Sequence, residues 1–317
     1  MTIPATETKH FFYLAPLQGY TDYIFREAFC TTFGQPDACF SPFIETHKPD
    51  HRVFRDVLPE RNTSNRLIPQ LLGNDADEMN SIIRQLQEMG YDEVNINMGC
   101  PYPMVTRKRM GSGLLPHPDH IDKMLEGIFA NNSCSISIKM RIGLTDPDEW
   151  KALVAILNRY PLNEVIIHGR TGAQLYKGEV NIEAFTEFAG LLSSPVCFNG
   201  NIFTLEQWNS LHSLLPGINR WMFGRGLLSN PLLIQEIKTG NKVTEADYIT
   251  ALSSLHEKLL TMNAKRLSGS SHVLNKMKPY WEYFALSLPG REKSLKKIKK
   301  AVTLDAYTVA CADVFRV

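Results

Sequence analysis

Residues able to do chemistry recur at one kind of place in this chain, the ends of short apolar runs. Cys100 stands out among them. It precedes Pro101 at the start of an elongated loop, a position where a small core hydrophobe has no packing role. A thiol of ordinary pKa is mostly protonated at neutral pH and can serve as a general acid. Other runs close with Ala15-Pro16-Leu17-Gln18-Gly19, Gln70, Asn95 and Asn97, Lys139 and Arg141, and His168 and Arg170. The last two close with Asn199-Gly200-Asn201 and Gly224-Arg225-Gly226. Those two turns lead into helix starts, where exposed backbone N–H groups and Arg225 suit a phosphate. Lys139 is a cation that needs an anion or an electron-rich partner once it leaves water. Gln70 and Asn199 carry amides of the kind that read the edge of a planar heterocycle. Together these residues describe a flat, phosphorylated cofactor.

The runs themselves span residues 11–16, 38–45, 67–73, 93–99, 135–143, 164–170, 195–201 and 220–226. They are nearly continuous in apolar character, as parallel strands buried on both faces require. Helix-period segments separate them at 75–89, 118–129, 148–160, 182–191 and 205–214, with Asp148 and Thr204 as N-caps. Eight such units imply an α/β fold, a (β/α)8 TIM barrel whose active face is built by the loops after the strands. A doubly wound sheet is the rival, but no GxGxxG follows the first run. The longest interval between runs is the one that Cys100 opens, and long loops in compact domains are usually functional.

Past Asn241 the strand signal ends. Segments 244–262, 271–286 and 292–301 read as helices, giving a barrel over 1–240 and a smaller all-helical C-terminal domain over 241–317. The net charge of +1 conceals an asymmetry between them. Residues 238–317 hold 14 Lys and Arg against 7 Asp and Glu, whereas the preceding residues hold 20 against 26. Such imbalance points to a polyanionic partner or to two separately solvated surfaces. Lys293, Lys296, Lys297, Lys299 and Lys300 form its densest cluster. The six cysteines show no CxxC spacing, no apolar run approaches a membrane span, and no leader pattern precedes the first strand. A cytoplasmic protein with no membrane partner is expected, and no stable protein partner is implied.

The run Asn95-Ile96-Asn97-Met98-Gly99-Cys100-Pro101, followed by Val105 and Gly111-Ser112-Gly113-Leu114-Leu115, resembles the signature of the tRNA-dihydrouridine synthases. Residues 15–22, 69–71, 139–143, 168–171, 176–178, 199–201 and 224–226 extend the resemblance in order along residues 12–231. It implies an FMN-bound barrel and a helical tRNA-binding region that reduce uridine to 5,6-dihydrouridine with NADPH as electron donor. Pro16, Leu17 and Gln18 would then line the isoalloxazine, with Gln70, Lys139 and His168 in contact with it. Asn199, Gly200, Asn201, Gly224 and Arg225 would hold the phosphate end. Hydride would go to C6 of the uracil and a proton from Cys100 to C5. Asn97, Arg141, Arg170, Tyr176 and Lys278 would lie on the substrate side, although Tyr176 suits plain packing equally well. Two positions depart from the family pattern: Leu17 stands where Met is common, and Asn201 where an acidic residue is usual. The alternatives are an FMN barrel reductase of a free pyrimidine, similar to dihydroorotate dehydrogenases, and a non-catalytic tRNA-binding protein. A basic tail argues against the first and retention of Cys100, Lys139 and His168 against the second.

Overall fold

The computed structural model describes residues 9–34, 36–47 and 54–316. Ten parallel strand segments fill the eight expected positions. They are β1 (Phe11–Leu14), β2 (Ala38–Phe40), β3 (Ile44–Glu45), β4 (Leu67–Ile68), β5 (Gln70–Leu72), β6 (Glu93–Met98), β7 (Ser135–Gly143), β8 (Val165–Thr171), β9 (Val196–Asn199) and β10 (Arg220–Phe223). The second and third strands are each split in two by a proline, Pro42 and Pro69. Neither proline has an N–H for the ladder, and Ser41 Oγ accepts the Gln70 N–H at 3.0 Å beside the break. Pairing of β2 with β4 and of β3 with β5 carries the ring across the break, and β1 pairs with both β10 and β2. The sheet is therefore a closed (β/α)8 barrel.

Period-two alternation decides what faces inward. Outward residues such as Leu14, Ile96, Ile138, Met140, Ile167 and Phe223 join the large core beneath the helices. Inward residues Tyr13, Phe40, Ile68, Ile166, Cys197 and Met222 plug the barrel. Two residues further along each strand the same parity brings Ala15, Gln70, His168 and Asn199 to the upper end. Burying an apolar plug and presenting polar tips are thus one consequence of strand register.

The helices at 76–88, 118–131, 182–191 and 205–214 form as expected, and Thr204 caps the last by accepting the Gln207 N–H. The segment 148–160 differs. It is a 3-10 turn, Glu149–Leu153, followed by a single α turn, Val154–Leu157, and Asp148 makes no capping bond. Glu149 instead accepts the N–H groups of Leu144, Thr145 and Asp146, which leaves Trp150 fully buried.

Beyond the barrel lie Glu245–Arg266, Ser270–Met277, Trp281–Phe284, Glu292–Lys300 and an additional helix, Leu304–Phe315. Tyr280 stacks on Phe25 and donates its hydroxyl to the Tyr20 carbonyl at 2.7 Å. Asp22 Oδ2 receives Arg266 at 3.1 Å and Lys276 at 3.0 Å, and Lys276 also donates to the Gly19 carbonyl. Burial alone would raise the Asp22 pKa, but these two cations outweigh it and hold the carboxyl below its usual range. The helical segment thereby pins the loop after the first strand. None of the helices among the described residues is long and apolar enough to cross a membrane.

Candidate active site

A cleft of about 1050 Å³, part of it open to solvent, occupies the upper end of the barrel. Pro16, Leu17, Gln18, Asn97, Cys100, Lys139, Arg141, His168, Tyr176, Asn199, Gly200, Asn201, Gly224 and Arg225 all line it. Its lining among the described residues contains Lys139, Arg141 and Arg225 and no carboxylate.

All three cations are held by neutral acceptors. Lys139 Nζ donates to Asn199 Oδ1 at 2.8 Å, and Asn199 is fixed in turn through the Met222 carbonyl. Burial and the nearby Arg141 bring Lys139 down to about 8. Arg225 donates to Asn201 Oδ1 at 2.7 Å and lies over the Tyr176 ring at 4.2 Å. Asn201 Oδ1 also accepts from Arg170 at 3.3 Å. A carboxylate at this position would neutralise one of the two guanidiniums; the amide keeps the hydrogen bonds and leaves the positive charge. His168 is neutral, because burial and the surrounding cations drive its pKa far down. Its Nε2 faces the Arg170 guanidinium at 3.1 Å and must accept there, since Arg has no lone pair to offer.

Cys100 sits on a turn built for it. A chain of side-chain amides runs through the barrel, from Asn97 to Gln70 (2.8 Å), Gln70 to Asn95 (2.7 Å) and Asn95 to Ser137 (3.0 Å). This chain fixes the Asn97 amide so that its Oδ1 accepts the N–H groups of Gly99 and Cys100, both at 2.9 Å. Arg141 holds the Gly99 carbonyl at 3.0 Å. The Cys100 carbonyl takes the Ser112 N–H and hydroxyl. Gly111 makes this closure possible: its φ is +58° and a Cβ would come within 2.6 Å of the Cys100 carbonyl. Cys100, at the start of its elongated loop, is thereby anchored on both sides. Burial pushes the thiol pKa up, and the Tyr102 backbone N–H, Arg141 and Lys139 only partly offset it. The group is a protonated thiol 8% exposed at the cleft wall.

Three expected residues do not line the cleft. Gln70 is fully buried inside the amide chain. Arg170 lies beneath the surface and binds the Gly178 carbonyl, holding the turn that carries Tyr176. Lys278 is far removed in role: its ammonium binds the carbonyls of Lys299 and Ala301, capping the helix Glu292–Lys300. Conversely, Tyr20, Phe43, Tyr102, Phe203 and Tyr283 line the cleft without having been singled out. Tyr283 comes from the helical segment and stacks edge-on against Tyr20 at 5.0 Å. Its only sequence signal was its place one turn beyond Tyr280-Trp281.

The chemistry of such a site is that of a cationic cleft, partly open to solvent, with a protonated thiol in its wall. Residues 13–312 match the family model described as dihydrouridine synthase. Among curated relatives, a tRNA-dihydrouridine(16) synthase of Neisseria meningitidis serogroup B is 29% identical over 249 residues, covering 74% of each chain. A tRNA-dihydrouridine synthase B of Pasteurella multocida is 30% identical over 262 residues, 81% of this chain and 77% of its own. Among solved structures, a morphinone reductase mutant in complex with tetrahydroNAD superposes with a TM-score of 0.52 at 10% identity, covering 77% and 89% of the two chains. That likeness is one of fold, a TIM barrel. The chain belongs to the dihydrouridine synthase family, and it is an enzyme.

Proposed function

We propose that this enzyme is a tRNA-dihydrouridine synthase that uses FMN and NADPH to reduce the C5=C6 bond of a tRNA uridine. The observation carrying the proposal is a carboxylate-free cationic cleft with a protonated cysteine anchored in its wall. The residues fit a phosphorylated flavin. Lys139, Arg141 and Arg225 are left without anionic partners in the lining, and stripping cations of water without a counter-charge costs several kcal/mol each. Pro16, Leu17, Gln18, Lys139 and His168 would hold the ring system. Asn199, Gly200, Asn201, Gly224 and Arg225 would hold the phosphate. Bound FMN, once reduced by NADPH, supplies the hydride that C6 requires.

The protein's own residues do the rest. Cys100 delivers a proton at C5, its thiol kept protonated by burial. Asn97 and Arg141 hold the Gly99–Cys100 turn in the cleft wall. Lys139 would offset negative charge on a reduced ring system held in the cleft. Tyr176, set under Arg225, offers a face to the nucleotide. A uridine in folded tRNA must leave its stack to enter such a cleft. Residues 1–240 act as the catalytic domain and 241–317 as the tRNA platform, its lysines 293, 296, 299 and 300 exposed and available for phosphates, while the exposed Lys297 is paired with Asp313. The enzyme works in the cytoplasm on this reading. Anaerobic addition of tRNA to the reduced holoenzyme tests it: flavin reoxidation with dihydrouridine formation supports it, and reoxidation by free uridine instead contradicts it.

A further inference from the structure

The loop that Cys100 opens carries an apolar tip that the chemistry at the thiol does not use. Tyr102, Pro103 and Met104 are consecutive and exposed, Tyr102 to 53% and Met104 to 77%. A soluble fold avoids such runs unless they make contact with something. The tip is firmly backed. Val105, the next residue, is buried in one cluster with Cys100, Leu72 and Met110. Thr106 lies close against Gly113, where a Cβ would come within 2.5 Å of the Thr106 carbonyl. Further along, Asn74 Nδ2 donates to the carbonyls of Lys108 at 2.9 Å and Arg109 at 3.2 Å, and Lys108 pairs with Glu45 at 2.8 Å. The short helix Pro103–Thr106 therefore presents Met104 to solvent four residues beyond Cys100. Tyr102, between them, both lines the cleft and reaches the surface.

We propose that Met104 is a wedge that fills the gap in the RNA stack when a uridine leaves it for the cleft, lying against the neighbouring base. The inference rests on the reading of the substrate as tRNA. Extruding a nucleotide costs its stacking, and the gap recloses unless something occupies it. Methionine is among the apolar side chains that open base steps in this way. The occupant suits the rest of the loop, because the apolar tip runs into Arg107, Lys108 and Arg109, all exposed. Apolar contact beside positive charge matches a base beside its phosphate. Placing the wedge and the thiol on one backed loop couples two tasks: the element that keeps the stack open also carries the proton donor. Met104 is a positioning residue, since it touches the neighbour of the reacting base and not that base.

The test uses the holoenzyme and a transcribed tRNA carrying 2-aminopurine, in turn, at each nucleotide flanking the uridine that the parent enzyme reduces. The fluorescence of this base rises when it is unstacked. Parent, Met104→Ser and Met104→Leu are compared at saturating protein and equal flavin content. The parent should raise the fluorescence at a flanking position, and Met104→Leu should keep that rise. Met104→Ser should lose most of it and should slow reoxidation of reduced flavin by tRNA roughly tenfold. Flavin content and reduction by NADPH should be unchanged in both variants. A parent that leaves both flanking bases stacked would overturn the inference. So would a Met104→Ser enzyme that keeps the parental rise; slowed reoxidation alongside that rise would assign the tip to support of Cys100 alone. A parent whose reduced flavin is not reoxidised by tRNA would instead remove the substrate reading, and this inference with it.

Discussion

The two ends of the barrel interior obey the same strand parity and handle charge in opposite ways. At the lower end Glu164 faces Arg220 at 3.6 Å and Tyr13, while Glu93 receives Arg66 at 2.7 Å. Acid and base answer each other there. At the upper end Lys139, Arg141 and Arg225 face a common space, and among the described residues no carboxylate of the lining meets them. A buried charge tolerated without a partner is expensive, so the lower end reads as stability and the upper end as function. In a TIM barrel the same division between bottom and top holds for catalytic residues in general. The uncompensated charge marks where a ligand belongs.

That contrast can be broken most sharply at Cys100. Cys100→Ala removes the proton donor while leaving the cations in place. Dihydrouridine formation should fall roughly 10²–10⁴-fold, with FMN still bound and its reduction by NADPH intact. Loss of flavin would show instead that Cys100 belongs to the cofactor's support.

A smaller effect is expected at the amide chain. Asn97→Ala frees the N–H groups of Gly99 and Cys100 and should lower kcat by up to about 10²-fold through misplacement of the thiol. KM for tRNA should change little, and an equal loss in KM would mean that Asn97 touches the nucleotide directly.

Lys139 gives the comparison a pH signature. With its pKa near 8, the free cleft loses this positive charge as pH rises through that value. FMN affinity should therefore weaken above about pH 8, and titration in Lys139→Met should be flat over the same range at uniformly weaker binding. A parental profile as flat as the variant's would remove Lys139 from cofactor binding.

The lower end should respond in stability alone. Burial raises Glu164 to about 7 despite Arg220, above its unfolded value near 4.3. The folded state then holds the extra proton. The contribution of Glu164 is full below the unfolded pKa and is lost as pH rises through about 7. Glu164→Gln should flatten the fall in stability over this window, by on the order of 1–3 kcal/mol, with turnover untouched. Altered turnover would break the division between the two ends.

Much of this was legible before any coordinates. Strand register follows from alternation, so β7 spans the residues read from its apolar run, 135–143, and the polar tips meet at one end. Tips one layer deeper were harder to tell from tips at the surface. Gln70 and Arg170 share the inward parity of their neighbours, but they support Asn97 and the Tyr176 turn from below. Nothing in a linear pattern separates those depths. Lys278 carried a binding expectation because it is basic and near aromatics; its ammonium binds two helix-end carbonyls. The helix at 304–315 was also legible, since its buried residues Tyr307, Ala310, Cys311 and Val314 recur at helical spacing and Thr303 caps it, although the expected helices stop at residue 301. The 148–160 segment failed as a helix because Glu149 spends its carboxylate on the preceding turn. The contribution of Tyr283 to the cleft also changes how the tail is to be probed. Removing residues 242–317 would strip Tyr280 from Phe25 and release Asp22, so the loss of tRNA binding expected on that deletion would be accompanied by damage to the cleft.

The most direct test of the central claim is to reduce the FMN-loaded protein anaerobically and follow flavin absorbance after adding unmodified tRNA or free uridine. Rapid reoxidation by tRNA alone, with one dihydrouridine formed per flavin, is the predicted result. A purified protein that takes up no FMN, or a reduced flavin indifferent to tRNA, would contradict the account.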